Sequence, residues 1–375
     1  MRLLYVNDAL AIYGGIERVL VDKVNYLADE YGYEVHLVTV NQGSHPIPYP
    51  LSKKVQHKDL GILFHQQYKF KGFRRFLKRW QLNRLFVQRL RDYINSIKPD
   101  IIVSTRSGQV ATIVSVKGKI PLIFESHNTR YTMRFNKADL FSKIKVERCN
   151  RYVSRAEMVV ALTDGDAEDW RGINSHVCVI PNVVHLNDSG LYSSCTQKSV
   201  IFVGRFSPQK DIRSLLQIWS LVHLRYPDWQ LQIYGGYGEE KEELLSEISS
   251  SYSDMNIYVY EPTPDILSKY RENSILLLTS RFEPFGLVIP EAMSCGLPVV
   301  AFDCPYGPAD IITDGVDGFL IENHDITGFV NSVCHLMENV ELRVDMGKRG
   351  ILNAKRYSAE SVMPLWKCLF EKIMS

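Results

Sequence analysis

Short apolar runs rich in β-branched residues alternate with segments of helical spacing, and this alternation restricts the folds available to the chain. The first apolar run covers residues 3–6, a helix-like segment follows at 16–32, and a second apolar run covers 33–40. A strand, a helix and a strand in that order form a parallel pair, because the helix carries the chain back along the sheet. The sequence therefore predicts an α/β protein built on parallel sheets.

The alternation falls into two series, which predicts two domains. A chain of 375 residues is too long for one ordinary core. In doubly wound sheets ligands bind beyond the carboxyl ends of the strands, so the residues that follow each strand are the candidates for function. The predicted parts are an N-terminal Rossmann-like domain over 1–182, a linker over 183–198, a C-terminal Rossmann-like domain over 199–357, and a final helix over 358–375 that packs back towards the N-terminal domain.

The composition is that of a soluble globular protein. Hydrophobic residues make up 45% of the chain and charged residues 23%, and a net charge of +2 excludes polyanion binding by bulk charge alone. The seven cysteines are scattered without a C-x-x-C pair, which argues against a disulfide framework or zinc knuckle and for a reducing compartment. The amino terminus lacks a signal-peptide pattern, and no apolar run approaches the roughly 18 residues of a membrane span, so we expect a cytoplasmic protein.

The stretch RFEPFGLVIPEAMSCGLPVV contains two glutamates around a turn that follows a predicted strand. Its pattern predicts a helix with Gly286 and Leu287 in the turn leading in and Glu291 in the first helical turn. The N–H groups of such a turn have no internal partners and can face a phosphate, while the carboxylates of Glu283 and Glu291 can accept hydrogen bonds from sugar hydroxyls. Helix capping by Glu291 beside a surface Glu283 is the alternative.

A second stretch, VGRFSPQK, follows another predicted strand with two cations. Ser207 fits an N-cap and Pro208 a first-turn residue, so Lys210 is expected in the first turn of a helix. A cation there opposes the helix dipole, and its position is favourable if an external anion binds between Lys210 and Arg205. A pair of solvated surface charges is the alternative.

These stretches together resemble the retaining glycosyltransferases of family 4. The segment from Glu283 to Glu291 resembles the E-x7-E signature of that family, and VGRFSPQK resembles its diphosphate clamp. Other segments match in order: Gly14-Gly15 resembles the glycine loop before the first helix, and His127 in FESHN resembles the active-site histidine. VIPN resembles the end of the amino-terminal domain, and GPADIITDGVDGFLI the helix and loop after the signature. The resemblance implies the GT-B fold, with two doubly wound Rossmann-like domains facing a central cleft.

The resemblance also implies the roles of the matching residues. A nucleotide-sugar donor, expected to be a UDP-sugar, would bind in the cleft, with Arg205 and Lys210 on its diphosphate and Glu291 on its ribose. Glu283 would hold the donor sugar, and His127 would contact that sugar from the opposite domain. His127, Arg205, Lys210 and Glu283 are thus the implied catalytic residues. The implied donor-binding residues are Gly14, Gly15, Arg205, Lys210, Glu283, Phe285, Gly286, Leu287 and Glu291.

Enzymes of this kind are thought to react on one face of the sugar, with the departing phosphate helping to deprotonate the acceptor. No side-chain nucleophile is implied, and the protein orients the substrates and neutralises the leaving diphosphate. Asp164-Gly165-Asp166 is a D-x-D, but Thr163 or Asp164 as N-cap with Asp166 in the first turn is the simpler interpretation. We therefore predict no required metal and no other cofactor. Asp211 stands where the family often has glycine, and helix capping is its simplest expected role.

Residues 69–91, KFKGFRRFLKRWQLNRLFVQRLR, are basic throughout and contain no acidic residue. Apolar residues recur near helical spacing, which predicts a basic amphipathic helix or helix pair. An anionic membrane surface or an acceptor could bind this segment, or it could be a domain helix with one buried face, and both interpretations stay open. Nucleic acid is not favoured, since no RNA- or DNA-binding motif accompanies the segment. The candidates on the acceptor or membrane side are Arg74, Arg75, Lys78, Arg79 and Trp80.

We therefore predict a retaining, metal-independent glycosyltransferase that moves a sugar from a UDP-sugar to a glycan or lipid-linked acceptor in bacterial surface polysaccharide synthesis. Peripheral association with the inner face of the membrane is an open extension of the cytoplasmic location. Another GT-B enzyme, either a phosphorylase or a nucleotide-sugar epimerase, is one alternative. A non-catalytic nucleotide-sugar-binding, membrane-docking protein is another. A nicotinamide enzyme is poorly supported, because YGGYG is not a G-x-G-x-x-G fingerprint.

Overall fold

The structure, a computed structural model, describes the whole chain except residues 13, 132–139 and 236. Packing divides the chain into two units, one formed by Met1–Val183 with Val362–Ser375 and the other by Val184–Ser361. Each unit is built on one parallel sheet, so the predicted α/β class with doubly wound sheets is confirmed. Among the described residues, none of the helices combines the length and the apolarity that crossing a bilayer requires.

In the described part of the first unit, seven strands form a sheet in the order β3-β2-β1-β4-β5-β6-β7. The order reverses between β1 and β4, and ligands bind at such a reversal in sheets of this type. The strands are β1 Arg2–Asn7, β2 Glu34–Thr39, β3 Gln56–Asp59, β4 Ile101–Ser104, β5 Leu122–Glu125, β6 Met158–Ala161 and β7 Val177–Val179. The helices are α1 Gly15–Asp29, α2 Gly72–Ile97, α3 Ser107–Val116, α4 Leu140–Val153 and α5 Asp164–Arg171, with a 3-10 helix at Phe64–Lys69.

In the second unit, six strands form a sheet in the order β10-β9-β8-β11-β12-β13, counted over the described residues. This sheet reverses between β8 and β11, which brings the loops after those two strands together at its carboxyl edge. The strands are β8 Ser199–Val203, β9 Gln230–Tyr234, β10 Ile257–Tyr260, β11 Ile275–Leu278, β12 Val299–Asp303 and β13 Gly318–Glu322. The helices are α6 Ile212–His223, α7 Lys241–Ser251, α8 Ile266–Arg271, α9 Val288–Ser294, α10 Gly307–Ile311, α11 Ile326–Glu338 and α12 Val340–Ala354, with a 3-10 helix at Lys355–Tyr357.

Burial follows the position of each strand in its sheet. Every residue of the central strand β11 is buried, because helices cover both faces of a parallel sheet. The edge strand β3, with the sequence QHKD, has no buried residue, and β2 is its one neighbour among the described strands. The sequence analysis missed β3, since an exposed edge strand does not need the apolar pattern by which the other strands were found.

The polar segment predicted as a linker is packed onto the second unit. The N–H of Asn187 donates to Ser294 Oγ over 3.0 Å, and the N–H of Ser193 donates to the carbonyl of Cys295 over 2.8 Å. Cys195 is fully buried, and its carbonyl accepts a hydrogen bond of 2.9 Å from Arg343 Nε. The segment has little regular structure, yet these long-range contacts make it part of the unit.

The last helix, α13 Ala359–Met374, contributes its residues from Val362 onwards to the first unit. The ring of Trp366 lies 4.1 Å from the ammonium of Lys23 on α1, and Phe370 packs edge-on against Tyr33. The chain therefore crosses from the first unit to the second and returns to the first before it ends its last helix.

Candidate active site

The loops after β8 and β11 bring a lysine and a glutamate together. Lys210 Nζ lies 2.5 Å from Oε2 of Glu283, and Ser280 Oγ donates a hydrogen bond of 3.1 Å to the same oxygen. Only 13% of the lysine side chain and 9% of the glutamate side chain are exposed. Two residues that are 73 positions apart in the sequence thus form a shielded ion pair at the carboxyl edge of the sheet.

The backbone of Glu283, like its side chain, is held by several hydrogen bonds. Its N–H donates to the carbonyl of Pro305 over 2.7 Å, and its carbonyl accepts from the N–H groups of Tyr306 and Gly307 over 3.0 and 2.9 Å. A Cβ atom on Gly307 would lie 1.9 Å from the carbonyl oxygen of Phe285, so only glycine fits against this loop. The loop after β12 therefore fixes the position of Glu283.

The turn expected to hold the donor sugar leads into α9. Gly286 has a φ of +94°, a left-handed conformation that glycine adopts without strain. No side chain of the described residues caps the helix at Leu287, and Phe285 is buried beneath the turn. Glu291 lies in the first turn of α9, so the predicted arrangement of turn and helix is confirmed.

Glu291 has a buried phenol as its neighbour. Tyr270 donates a hydrogen bond of 3.3 Å from its hydroxyl to Glu291 Oε2. Tyr270 is fully buried, and burial together with the nearby charge of Glu291 raises its pKa well above 10, so the phenol stays protonated and donates. This contact orients the carboxylate. The sequence analysis did not identify Tyr270, because a tyrosine in a helical apolar pattern carries no sign of its distant partner.

The prediction for the start of α6 is wrong. The N–H of Lys210 donates to the carbonyl of Ser207 over 3.0 Å in a turn, and the helix begins only at Ile212. Asp211 precedes the helix with a φ of +47°, and its side chain does not cap it. Instead, Arg281 Nε and Nη2 donate to the two carboxylate oxygens of Asp211 over 3.0 and 3.2 Å. Lys210 thus lies ahead of the helix rather than in its first turn.

Arg205 is exposed in the loop after β8, and no hydrogen bond or ion pair joins its guanidinium to the described residues. Two glycines of the YGGYG loop pack closely against the backbone of the loop that carries Arg205. A Cβ atom on Gly235 would lie 2.3 Å from the carbonyl oxygen of Gly204, and one on Gly238 would lie 2.2 Å from that of Phe206. The YGGYG loop, which is not a cofactor fingerprint, therefore serves as a close packing surface for the Arg205 loop.

In the first unit, His127 follows β5 and is 3% exposed. Its Nε2 lies 3.2 Å from Oε1 of Glu125, and the same oxygen accepts a hydrogen bond from the ammonium of Lys23. Burial alone would raise the pKa of Glu125, but Lys23 and His127 lower it to about 2. The sequence analysis found the histidine and missed Glu125 and Lys23, which stand as single charges within apolar segments.

Gly14 and Gly15 begin the first helix, as the sequence predicts. Gly14 is the N-cap residue with an extended backbone, and Gly15 is the first residue of α1. The carbonyl of Gly14 accepts a hydrogen bond of 3.3 Å from the Tyr49 hydroxyl. A Cβ atom on Gly14 would lie 2.2 Å from Oε2 of Glu17, so the absence of a side chain lets this carboxylate approach the helix start.

The basic segment forms most of a single helix, α2, whose two halves differ. The part from Leu82 onwards packs into the core of the first unit, as expected for a domain helix. Its buried residues are Leu82, Phe86, Leu90 and Ile94.

The first half of α2 leaves large apolar side chains in solvent. Phe73 is 72% exposed, Phe76 63% and Trp80 50%, and the two phenylalanine rings stack on one another. Four cations are interspersed with these rings, and all are exposed or half-exposed. They are Arg74, Arg75, Lys78 and Arg79.

The D-x-D begins α5 and has a structural explanation. Thr163 is the N-cap, and its hydroxyl accepts a hydrogen bond of 3.3 Å from the N–H of Asp166. Asp164 and Asp166 lie in the first turn, which confirms the capping interpretation. The buried carboxylate of Asp166 accepts from Ser126 Oγ over 2.8 Å and from the N–H of Arg130 over 2.7 Å, and burial raises its pKa to about 6.

Two families match the chain, one in each half. Residues 13–188 match Glycosyltransferase Family 4, and residues 192–352 match Glycosyl transferases group 1. The amylovoran biosynthesis glycosyltransferase AmsD of Erwinia amylovora is 28% identical over 377 residues, which cover 97% of this chain and 98% of AmsD.

Two solved structures share the fold over almost the whole chain. A TarM variant from S. aureus, in complex with Fondaparinux, alpha-GlcNAc-glycerol and UDP, gives a TM-score of 0.78 at 16% identity and covers 98% of this chain and 99% of that one. Anabaena HepE in complex with UDP and glucose gives a TM-score of 0.75 at 20% identity and covers 100% and 99%. The likeness at these identities shows the GT-B fold.

Proposed function

This chain is a glycosyltransferase with the GT-B fold, and we propose that it moves a sugar, with retention, from a UDP-sugar to a hydroxyl of a glycan acceptor. The acceptor is a lipid-linked or polysaccharide intermediate in the synthesis of a bacterial surface polysaccharide. The relative AmsD, which is named for amylovoran biosynthesis, supports this setting.

The observation that carries the proposal is the contact between Lys210 and Glu283. In a nucleotide sugar, the sugar is bonded directly to the second phosphate of the diphosphate. A residue that holds the sugar must therefore lie beside a residue that holds that phosphate. Glu283 can accept hydrogen bonds from sugar hydroxyls, and Lys210 can neutralise the phosphate, so the pair has the chemistry and the spacing that the glycosyl phosphate requires.

Charge on the leaving diphosphate is neutralised by side chains in this proposal, so no metal ion is needed. Arg205 has an exposed guanidinium that can fork onto phosphate oxygens, and Lys210 supplies a second positive charge. Interactions that strengthen as the phosphate departs lower the barrier, because they stabilise the transition state more than the bound substrate. The start of α9 has no side-chain cap, so N–H groups there can serve as further donors to the phosphate.

Retention follows if the acceptor attacks the face of the sugar from which the diphosphate leaves. The bond between the anomeric carbon and the phosphate oxygen breaks, the acceptor oxygen bonds to that carbon, and its proton passes to the departing phosphate. No side chain has to act as a nucleophile in this step. Glu291, oriented by the Tyr270 hydroxyl, can hold the ribose so that the diphosphate is aligned for departure.

A donor screen by calorimetry tests the proposal. We expect saturable binding of UDP, tighter binding of one UDP-sugar, and weak or no binding of GDP and ADP, all in the presence of a chelator. Lys210→Ala should weaken UDP binding about tenfold or more, since a charged hydrogen bond is worth roughly 1.5–3 kcal/mol. Failure of every nucleotide to bind, or binding that requires a divalent ion, would contradict the proposal.

Lys198→Ala is the matched control, because Lys198 also pairs with an acid in the second unit but at an exposed position. It should leave UDP binding unchanged. Product analysis then separates the alternatives. Transfer to an added glycan acceptor with retained configuration supports the proposal, whereas conversion of the UDP-sugar without an acceptor indicates an epimerase, and phosphate-dependent release of a sugar phosphate indicates a phosphorylase.

The exposed half of α2 supports a second element of the proposal, which is docking on an anionic membrane surface. Its aromatic rings can enter the interface between headgroups and acyl chains, and its interspersed cations complement anionic lipids. No acidic residue lies among residues 69–91 to oppose this attraction. A lipid-linked acceptor would then be reached where the enzyme docks.

Vesicle sedimentation tests the docking. The protein should bind vesicles with 30% phosphatidylglycerol, and not neutral phosphatidylcholine, with an affinity that falls as salt rises. Replacing Phe73, Phe76 and Trp80 by serine should abolish binding. Serine at the exposed Leu224 and Leu352 of the second unit should not affect it. Equal binding of the aromatic variant and the wild type would contradict the docking.

A further inference from the structure

Four side chains of the first unit form a buried cluster around one carboxylate. Lys23 on α1 bonds to Glu125 at the end of β5, and His127 contacts the same carboxylate oxygen. Trp366 on α13 covers the ammonium of Lys23, with 4.1 Å between Nζ and the ring centroid. All four side chains are at most 3% exposed. We call these four residues the Lys23 cluster.

The carboxylate in this cluster is ionised. Burial alone would raise the pKa of Glu125, but the charge of Lys23 and the neighbouring His127 lower it to about 2. Burial lowers the pKa of Lys23, and Glu125 acts in the opposite direction. A buried ion pair of this kind is retained at a cost in desolvation, so it rarely stabilises a fold more than apolar residues of the same size would. Its presence beside His127 therefore calls for another explanation.

The carboxylate of Glu125 lies next to Nε2 of His127. Glu125 Oε1 lies 3.2 Å from Nε2. At that distance the negative oxygen repels a lone pair on Nε2 and attracts a proton there. Both ring nitrogens are buried and neither makes an aligned hydrogen bond among the described residues, so Glu125 acts on Nε2 through its charge at short distance. A neutral ring with its proton on Nε2 presents Nδ1 as an acceptor.

We infer that Glu125 is a positioning residue for His127, which keeps the imidazole proton on Nε2 and leaves Nδ1 to accept a hydrogen bond from a hydroxyl of the bound sugar. Lys23 keeps the carboxylate charged, and Trp366 keeps water from the ammonium, so that the charge acts on the histidine in a medium of low polarity. The assignment of a sugar hydroxyl as the ligand rests on the proposed function. The position of the proton does not.

The proton position is measured on the full chain without substrate. In protein labelled with ¹⁵N-histidine, two-bond ¹H–¹⁵N spectra distinguish the two neutral tautomers by their nitrogen shifts, and the signals of His127 are those lost in His127→Gln. We expect a neutral wild-type ring to have its proton on Nε2 and an unprotonated Nδ1. A wild-type ring with its proton on Nδ1 would overturn the inference, and this result needs no further variant.

Glu125→Gln tests the cause. Glutamine keeps the shape of the side chain and removes its charge, so the His127 signals should move towards a mixture of the two tautomers. Glu168→Gln is the matched control, because Glu168 pairs with Arg171 in the same unit at an exposed position. It should leave His127 unchanged. A folded Glu125→Gln protein whose His127 tautomer is identical to that of the wild type would overturn the role of the carboxylate.

The test separates this inference from the proposed function. If the proton lies on Nε2 and depends on Glu125, while no UDP-sugar binds, the positioning role stands and the donor assignment fails. If a UDP-sugar binds and its addition moves the Nδ1 shift of the wild type but not of Glu125→Gln, the hydroxyl contact at Nδ1 is supported as well.

Discussion

Each unit contains a lysine–glutamate pair at the carboxyl edge of its sheet, and the two pairs differ in how completely the protein encloses them. The side chains of Lys23 and Glu125 are 2% and 1% exposed, and an aromatic ring covers the lysine. Those of Lys210 and Glu283 are 13% and 9% exposed, and Ser280 is the further partner of that glutamate. The first pair is closed to solvent, and the second pair is partly exposed to it.

The difference determines what each pair can do. Neither residue of a closed pair can exchange its partner for a ligand without opening the core. The charges of such a pair can therefore act only on neighbouring groups whose positions are fixed. In a partly exposed pair, the lysine can also bind an arriving phosphate, because part of each side chain already faces water. This contrast leads to four expected effects, and the largest comes from breaking the closed pair.

Lys23→Met should reduce the free energy of unfolding of the protein by about 3–5 kcal/mol, because it leaves the carboxylate of Glu125 buried without a counter-charge. Urea denaturation measures the loss. The double variant Lys23→Met/Glu125→Leu should recover most of it, since an apolar pair of similar volume needs no counter-charge. A single variant as stable as the wild type would mean that water reaches the carboxylate, and the pair would not be closed.

Acidification should remove the contribution of Glu125 to stability. The pKa of this residue is about 2 in the folded chain, against an ordinary value of 4.5. A lowered acid pKa gives stability that is complete above the ordinary value and is lost as the pH falls through the folded value. The stability difference between wild type and Glu125→Gln should therefore shrink between pH 5 and pH 2 in urea denaturation. A difference that is constant over this range would contradict the assignment.

Lys210→Ala should affect binding more than folding. We expect UDP affinity to fall about tenfold or more, because the charged contact with the phosphate is lost. The free energy of unfolding should change by no more than about 1–2 kcal/mol, because Ser280 and solvent still reach Glu283. Calorimetry and urea denaturation measure the two effects. A larger loss of stability than of binding would make this pair structural, like the pair in the first unit.

Lys198→Ala should have the smallest effect. Lys198 pairs with Asp228 at the surface, where the two side chains are 61% and 54% exposed. Exposed pairs contribute about 0–1 kcal/mol, so both stability and UDP binding should stay near wild-type values. A clear loss of either one would show that exposure is not what separates these pairs.

The two sheets and the turn before α9 were predictable from the sequence because their signals are local. Strands such as β11 are apolar runs, and the glycine and helix start around Gly286 are read from adjacent residues. The start of α6 was not predictable in this way. Asp211 is held by Arg281, which lies 70 positions further along the chain, and the helix begins only after this residue, at Ile212.

The Lys23 cluster could not be predicted from the sequence either, because it too depends on contacts between distant residues. Lys23 and Glu125 are 102 positions apart, and each lies in an apolar segment that predicts only a helix or a strand. Pairing between them is a property of the sheet order, which brings α1 and β5 together. The sequence could identify His127 through its resemblance to a family motif, but it contained no sign of the charge that faces the ring.

The return of α13 to the first unit has a consequence for biosynthesis. A ribosome makes Lys23 and Glu125 early and must then make all of Val184–Ser361 before Trp366. Roughly 240 residues separate Glu125 from Trp366, which at ordinary elongation rates of about 5–20 residues per second is a delay of about 10–50 seconds. During that interval the nascent first unit holds an ammonium without its aromatic cover. The first unit can therefore complete its packing only after the second unit has been synthesised, although its own strands are made first.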